Sequence, residues 1–246
     1  MKKVLKIIGI VVLVIIILLL LVVVGGFAYL YFNGLSGMQS YPEVKEGQIK
    51  VACIGDSTTY GHGISNWPKN NYPVVLSELL GDEYVVHSYG VSGRAVQDDS
   101  DQPYTALEHY TKSLDYDSDI IVFMMGSNDS KPENWHDATT FKTALCKLLD
   151  TYVTSDNPPI IYLCTPATVF FTEGYSAPLA QYDIQPAIVE EIADIVREIS
   201  NEKGYSLIDI NNVTKTHPEW FSDGVHPTKE GAAAIADTVY QAITNP

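Results

Sequence analysis

From Ile49 onward, short apolar runs alternate with longer stretches in which apolar residues recur at helical spacing. That alternation is the pattern of β-α-β units around a parallel sheet. Strands are expected at residues 49–54, 84–88, 119–125, 160–164 and 206–210, and helices at residues 72–80, 105–114, 139–153, 186–203 and 228–243. The third strand is apolar without a break from Ile120 to Met124, as a strand covered by helices on both faces must be. In the fourth helix Ile188, Ile192, Ile195, Val196 and Ile199 form a 3.6-residue stripe, with Glu190, Glu191, Asp194 and Arg197 turned away, so the stripe is core. Five strands with interleaved helices predict a small doubly wound α/β domain over residues 49–246.

A different pattern precedes this domain. Residues 7–24 carry neither a charge nor a proline, and the apolar character continues to Phe32. About 20 such residues cross a ~30 Å hydrocarbon core. A cleaved signal peptide is shorter and ends in small residues, whereas Tyr29, Leu30, Tyr31 and Phe32 follow here and suit an aromatic belt at an interface. Residues 1–32 are therefore expected to be an uncleaved, single-pass membrane anchor. Lys2, Lys3 and Lys6 put the N-terminus in the cytoplasm and the domain outside it by the positive-inside rule. Residues 33–48, rich in Gly, Ser and other polar types, read as the linker.

Charge and cysteine content narrow the function. The 246 residues carry a net charge of −15, and three of the basic residues precede the first acid, Glu43, so the domain is more acidic still. Such a surface repels phosphate backbones, which argues against nucleic-acid binding. Cys53, Cys146 and Cys164 are odd in number and widely spaced, which does not suit a disulfide framework or a zinc site. No metal and no cofactor are expected. Asp98, Asp99 and Asp101 read as a solvated face.

The candidate chemistry gathers where the strands end. The first strand runs into Gly55-Asp56-Ser57-Thr58-Thr59-Tyr60-Gly61-His62-Gly63, the second into Gly90-Val91-Ser92-Gly93, and the third into Gly126-Ser127-Asn128-Asp129; Asp223-Gly224-Val225-His226-Pro227 precedes the last helix. These hold the parts for acyl transfer: a Ser on a Gly-flanked turn, a His to take its proton, and an Asp three residues earlier to orient the imidazole. Glycines let N–H groups near Ser57 and Gly93 approach a developing oxyanion, and Asn128 adds a side-chain donor. Asp56 and Asp129 are expected to hold loop backbone. His62, His87, His109, His136 and His217 have no comparable setting and are read as ordinary surface or core residues. The long connection over residues 165–183, with Phe170, Phe171, Tyr175 and Tyr182, could line a substrate site or pack on itself.

In their order and spacing these blocks resemble the SGNH, or GDSL, hydrolase superfamily, from Ile49 to the C-terminus. The resemblance implies a three-layer α/β/α sandwich with a five-stranded parallel, flavodoxin-like sheet. It makes Ser57 the nucleophile, His226 the general base and then acid, and Asp223 its partner. The oxyanion donors become the backbone N–H groups of Ser57 and Gly93 and the side chain of Asn128. Thr58 departs from the Leu of the family's name, and the Ser88-Tyr89-Gly90 stretch before Gly93 lacks the Asn that often opens that block, leaving Gly90 as an alternative donor in place of Gly93. The G-x-S-x-G elbow of ordinary α/β-hydrolases is absent from the sequence. The expected function is a membrane-anchored, extracytoplasmic serine esterase acting on acyl esters, O-acetyl groups on carbohydrate or cell-envelope polymers among them. The rivals are an O-acyltransferase to glycan hydroxyls, a lipase or thioesterase for longer chains, and a non-catalytic glycan-binding module.

Overall fold

The computed structural model describes residues 2–33, 41–154, 158–170 and 182–245. It divides into two compact units, Met1–Met38 and Gln39–Pro246.

In the first unit, helix α1 spans Lys2–Asn33. Its described side chains, Ile10 and those of residues 12–26, are exposed. Among the described residues no helix is long and apolar enough to cross a membrane. The expected transmembrane helix is thus not found among the described residues.

The second unit is an α/β fold on a five-stranded sheet of order β2-β1-β3-β4-β5. The strands are β1 Ile49–Gly55, β2 Tyr84–Gly90, β3 Ile120–Met124, β4 Ile160–Cys164 and β5 Ser206–Ile208, and every pairing is parallel. This is the flavodoxin-like order, in which chain direction across the sheet reverses between β1 and β3. Beside the strands run α2 (Ser57–Tyr60), α3 (Tyr72–Leu80), α4 (Glu108–Asp115), α5 (Ala138–Asp150), α6 (Pro186–Lys203) and α7 (Lys229–Thr244).

Side-chain alternation assigns the two faces. Val51, Cys53, Val122 and Met124 pack with Tyr72, Leu76, Ile235 and Val239 of α3 and α7, while Ala52, Ile54, Ile121 and Phe123 pack with Phe141, Leu145, Ile192 and Val196 of α5 and α6. Each such fully buried side chain contributes ~1.5–3 kcal/mol, and together they make the sheet a rigid platform. Side chains start the helices where the apolar stripe begins: Asn71 accepts from Val74 N–H at 3.1 Å, Asp137 from Thr140 N–H at 2.8 Å and Thr228 from Gly231 N–H at 3.3 Å.

Several boundaries differ from those the pattern predicts. The fifth strand stops at Ile208, because Asp209 accepts from Asn212 N–H at 3.2 Å and starts a helical turn at Ile210–Thr214. The expected helix at residues 105–114 begins only at Glu108, after a 3-10 turn at Tyr104–Ala106 whose Tyr104 is wholly buried. Of the expected linker, Tyr41 stacks on Tyr89 at 5.3 Å and the Pro42 carbonyl lies 2.8 Å from His87 Nε2; residues 34–40 lie outside the described residues.

Candidate active site

In a sheet of this order the crevice lies outside the carboxyl ends of β1 and β3, and β1 delivers its turn with no room to spare. A Cβ on Gly55 would stand 1.9 Å from Thr59 Oγ1 and 2.7 Å from the Met124 carbonyl, so a glycine lets the chain turn straight from β1 into α2. Asp56 caps that helix by accepting from Thr58 N–H at 2.9 Å, and Ser57 is its first residue. Across the sheet, a Cβ on Gly90 would meet Tyr60 N at 2.5 Å and Thr59 C at 2.7 Å. The end of β2 thus butts against the backbone of α2.

Ser57 Oγ lies 3.1 Å from His226 Nε2, and His226 Nδ1 lies 2.8 Å from Asp223 Oδ2. The Asp223 carboxylate also accepts from Val225 N–H at 2.9 Å and His226 N–H at 2.7 Å, both on Oδ1. One carboxylate therefore shapes the loop and orients the imidazole, which accounts for the three-residue spacing. With Nδ1–H donating to Asp223, Nε2 presents its lone pair to the Ser57 hydroxyl. Burial opposes ionisation of Asp223, yet the hydrogen bonds and charge of His226 outweigh it and hold the carboxyl at about 2. Ser57 and His226 are both buried, though both line the cleft.

Gly93 and Asn128 line the same cleft of about 330 Å³. Gly93 adopts φ +80°, a conformation that favours glycine. Asn128 donates one amide hydrogen to the Arg94 carbonyl at 3.1 Å, leaving a second for a ligand. The two loops are bolted together by Asp129, whose buried carboxylate accepts from Val96 N–H at 2.9 and 3.0 Å and from Gln97 N–H at 3.0 Å. Asn134 adds a bond to the Asn128 carbonyl at 2.9 Å and another to Asp101 at 2.8 Å. Burial pushes Asp129 up to about 7 against the pull of the Val96 and Gln97 N–H groups, and burial likewise pushes Asp56 up to about 6.

The remainder of the wall comes from Ser92, Gln102, Ser127, Lys131, Tyr182 and His62, among others. His62 corrects its reading as an ordinary residue: its ring centroid is 4.4 Å from that of His226. His62 follows Gly61, at φ +89°, and its place in the Gly-Asp-Ser block was the available signal. Tyr182 meets the same imidazole edge-on at 4.8 Å. Phe170 packs against Phe221 at 5.4 Å, while Phe171 and Tyr175 lie outside the described residues. The acidic run is paired: Asp98 with Lys147 at 2.7 Å, Asp99 with His136 at 3.1 Å and Asp101 with Lys131 at 3.1 Å. Among the described residues no group of three or more His, Cys, Asp or Glu could hold a metal ion.

A flavodoxin-like α/β domain with a Ser, His and Asp chained at its switch point defines a class of proteins equipped for acyl chemistry. Residues 53–234 match the GDSL-like Lipase/Acylhydrolase family, and the chain belongs to that family. It is 31% identical over 225 residues to an acetylxylan esterase from Xylanibacter ruminicola; the match takes in 84% of this chain and 45% of that protein, so the chain spans about half of its relative's length. A carbohydrate acetylesterase family member from Sinorhizobium meliloti shares its fold with a TM-score of 0.65 at 23% identity, over 80% of this chain and 97% of the other. The M. smegmatis aryl esterase does so with a TM-score of 0.64 at 18% identity, over 80% and 98%.

Proposed function

We propose that this protein is a serine esterase that removes small acyl groups, acetyl foremost, from carbohydrate hydroxyls. The observation that carries the reading is the chain of hydrogen bonds in which His226 joins Ser57 at 3.1 Å to Asp223 at 2.8 Å. Ser57 Oγ attacks the ester carbonyl while His226 Nε2 takes its proton. The oxyanion is received by the N–H groups of Ser57 and Gly93 and the amide of Asn128. His226 then gives its proton to the departing alcohol, leaving an acyl-Ser57 ester that water hydrolyses by the same relay. Each oxyanion donor contributes ~3–4 kcal/mol to the transition state.

Two further facts support the acetyl and carbohydrate parts. The relative from X. ruminicola is named for acetylxylan, and the cleft of about 330 Å³ offers several hydrogen-bonding side chains, Gln102, Asn128, Lys131 and Glu133 among them, to a carbohydrate. The apolar sequence over residues 7–24, preceded by Lys2, Lys3 and Lys6, supports attachment to a membrane with the domain on the extracytoplasmic side.

The experiment is release of p-nitrophenol from acetate, butyrate and octanoate esters by the full chain in detergent, beside Ser57→Ala. Acetate turnover that vanishes in the variant and falls steeply with chain length is the expected result; activity indifferent to Ser57 refutes it. Retention of the full chain in carbonate-washed membranes tests the anchor, and recovery in the wash refutes it.

A further inference from the structure

A general acid must reach the oxygen that departs. The alcohol of an ester attacked by Ser57 therefore sits within hydrogen-bond reach of His226 Nε2, and its body extends over whatever flanks that imidazole. Two rings flank it: His62, with centroids 4.4 Å apart and planes tilted by 46°, and Tyr182, edge-on at 4.8 Å. His62 and Tyr182 are 6.2 Å from each other, again edge to face, and all three rings line the cleft. His62 is half-buried, and among the described residues its ring nitrogens make no protein hydrogen bond. Burial and the neighbouring His226 hold its imidazole below the usual histidine range against the opposing pull of Asp223, so it offers one N–H donor and one lone pair.

We propose that His62 and Tyr182 form the subsite for the leaving alcohol, and that the alcohol they fit is a sugar ring. Resting on the serine-esterase reading above, this names the alcohol side of its substrate. A pyranose has C–H faces that lie against aromatic rings and hydroxyls that both donate and accept, as a neutral imidazole does. The same cleft is also lined by Gln102, Lys131, Glu133 and Asp183; an alkyl alcohol that covered such groups without pairing them would cost desolvation.

The same subsite governs the reverse traffic. Every acetate ester yields one acetyl-Ser57 intermediate, so a preference among alcohols appears in which hydroxyl attacks it. The alcohol oxygen bonds to the acetyl carbon, its proton passes to His226 Nε2, the acyl–Oγ bond breaks, and the proton returns to Ser57 Oγ.

The test partitions this intermediate. The full chain turns over p-nitrophenyl acetate in the presence of methyl xylopyranoside or methanol, and the acetylated alcohols and free acetate are measured by NMR. The parent is expected to acetylate the xyloside in preference to methanol, mole for mole. In His62→Ala that preference should fall about tenfold, the loss of one hydrogen bond and a ring contact. His62→Phe, which keeps a ring but no donor, should fall between them. The acetate-to-butyrate ratio with p-nitrophenyl esters should stay within twofold in both variants, because the acyl group lies on the other side of the carbonyl. Partition ratios count only molecules that turned over, so a partly folded sample does not distort them. Ser57-dependent turnover with an unchanged partition in His62→Ala overturns the subsite alone, as does a matching change in acyl selectivity; turnover that survives Ser57→Ala overturns the esterase reading and the subsite with it.

Discussion

Replacing Gly90 by alanine tests the link between the sheet and Ser57, the proposed nucleophile. The added Cβ would stand 2.5 Å from Tyr60 N and 2.7 Å from Thr59 C, about 1 Å inside ordinary contact. Both atoms are backbone, so no side chain can swing aside, and β2 or α2 must shift by roughly that amount. Overpacking of this kind costs ~1–3 kcal/mol, and each kcal/mol lowers the melting temperature of a domain this size by roughly 2–4 °C. The larger effect falls on activity, because α2 carries Ser57, whose Oγ sits 3.1 Å from His226. A ~1 Å misplacement of a reacting group costs about 100-fold. Gly90→Ala should therefore lose about 100-fold in kcat/KM on p-nitrophenyl acetate while melting roughly 2–12 °C lower. Gly204→Ala is the control: it has φ +69° but open space around the new Cβ, so it should lose stability of ~1–2 kcal/mol and leave kcat/KM within twofold. Activity of Gly90→Ala within threefold of the parent would refute the packing of β2 against α2 as the device that positions Ser57.

Asp223→Asn, which removes the charge and disturbs the tautomer set at His226 Nδ1, should lower kcat by about 10⁴-fold, read from steady-state kinetics; a loss under tenfold would contradict its role. Asn128→Ala should cost ~10²–10³ in kcat with KM little changed, and a change confined to KM would point to substrate binding instead. Asp129 predicts a pH dependence of stability. Its folded value of about 7 lies above the ordinary 3.8, so the folded state binds more protons than the unfolded one between these limits, and the contribution present below about pH 4 is lost as pH rises through 7. Denaturant unfolding should accordingly show a steeper fall from pH 5 to 8 in the parent than in Asp129→Asn, and equal slopes would refute the assignment.

The sheet was legible in the sequence because burial on both faces leaves an unbroken apolar run, as at Ile120–Met124, and because turn residues bracket each run. Strand ends were less legible: at Ile208 a side-chain cap on Asp209, not hydrophobicity, ends pairing. The apolar stretch over residues 7–24 is equally plain in the sequence, though no membrane-spanning helix is found among the described residues. At the site, Ser57, Asp223, His226, Gly93 and Asn128 could be picked out because each sits in a short block whose glycines and spacing reflect local turn geometry. His62 shares the block that holds Ser57, but its place beside His226 could not be read from it, since that contact joins it to a residue 164 positions away along the chain. Tyr182, in a long connection without periodicity, had only its aromatic character to recommend it.

By itself, then, the sequence determined what depends on near neighbours: the alternation of strands and helices, the Gly-flanked turn that bears Ser57, and the Asp-x-x-His loop that one carboxylate can close. Tertiary structure alone decided what depends on distant segments meeting. It set Ser57 3.1 Å from His226, used Asp129 to join the loops of Gly93 and Asn128, and brought His62 and Tyr182 against the His226 imidazole. The reason is that hydrogen bonds and ring contacts act over a few ångströms of space, and only packing of the two cores against the sheet converts separation along the chain into proximity.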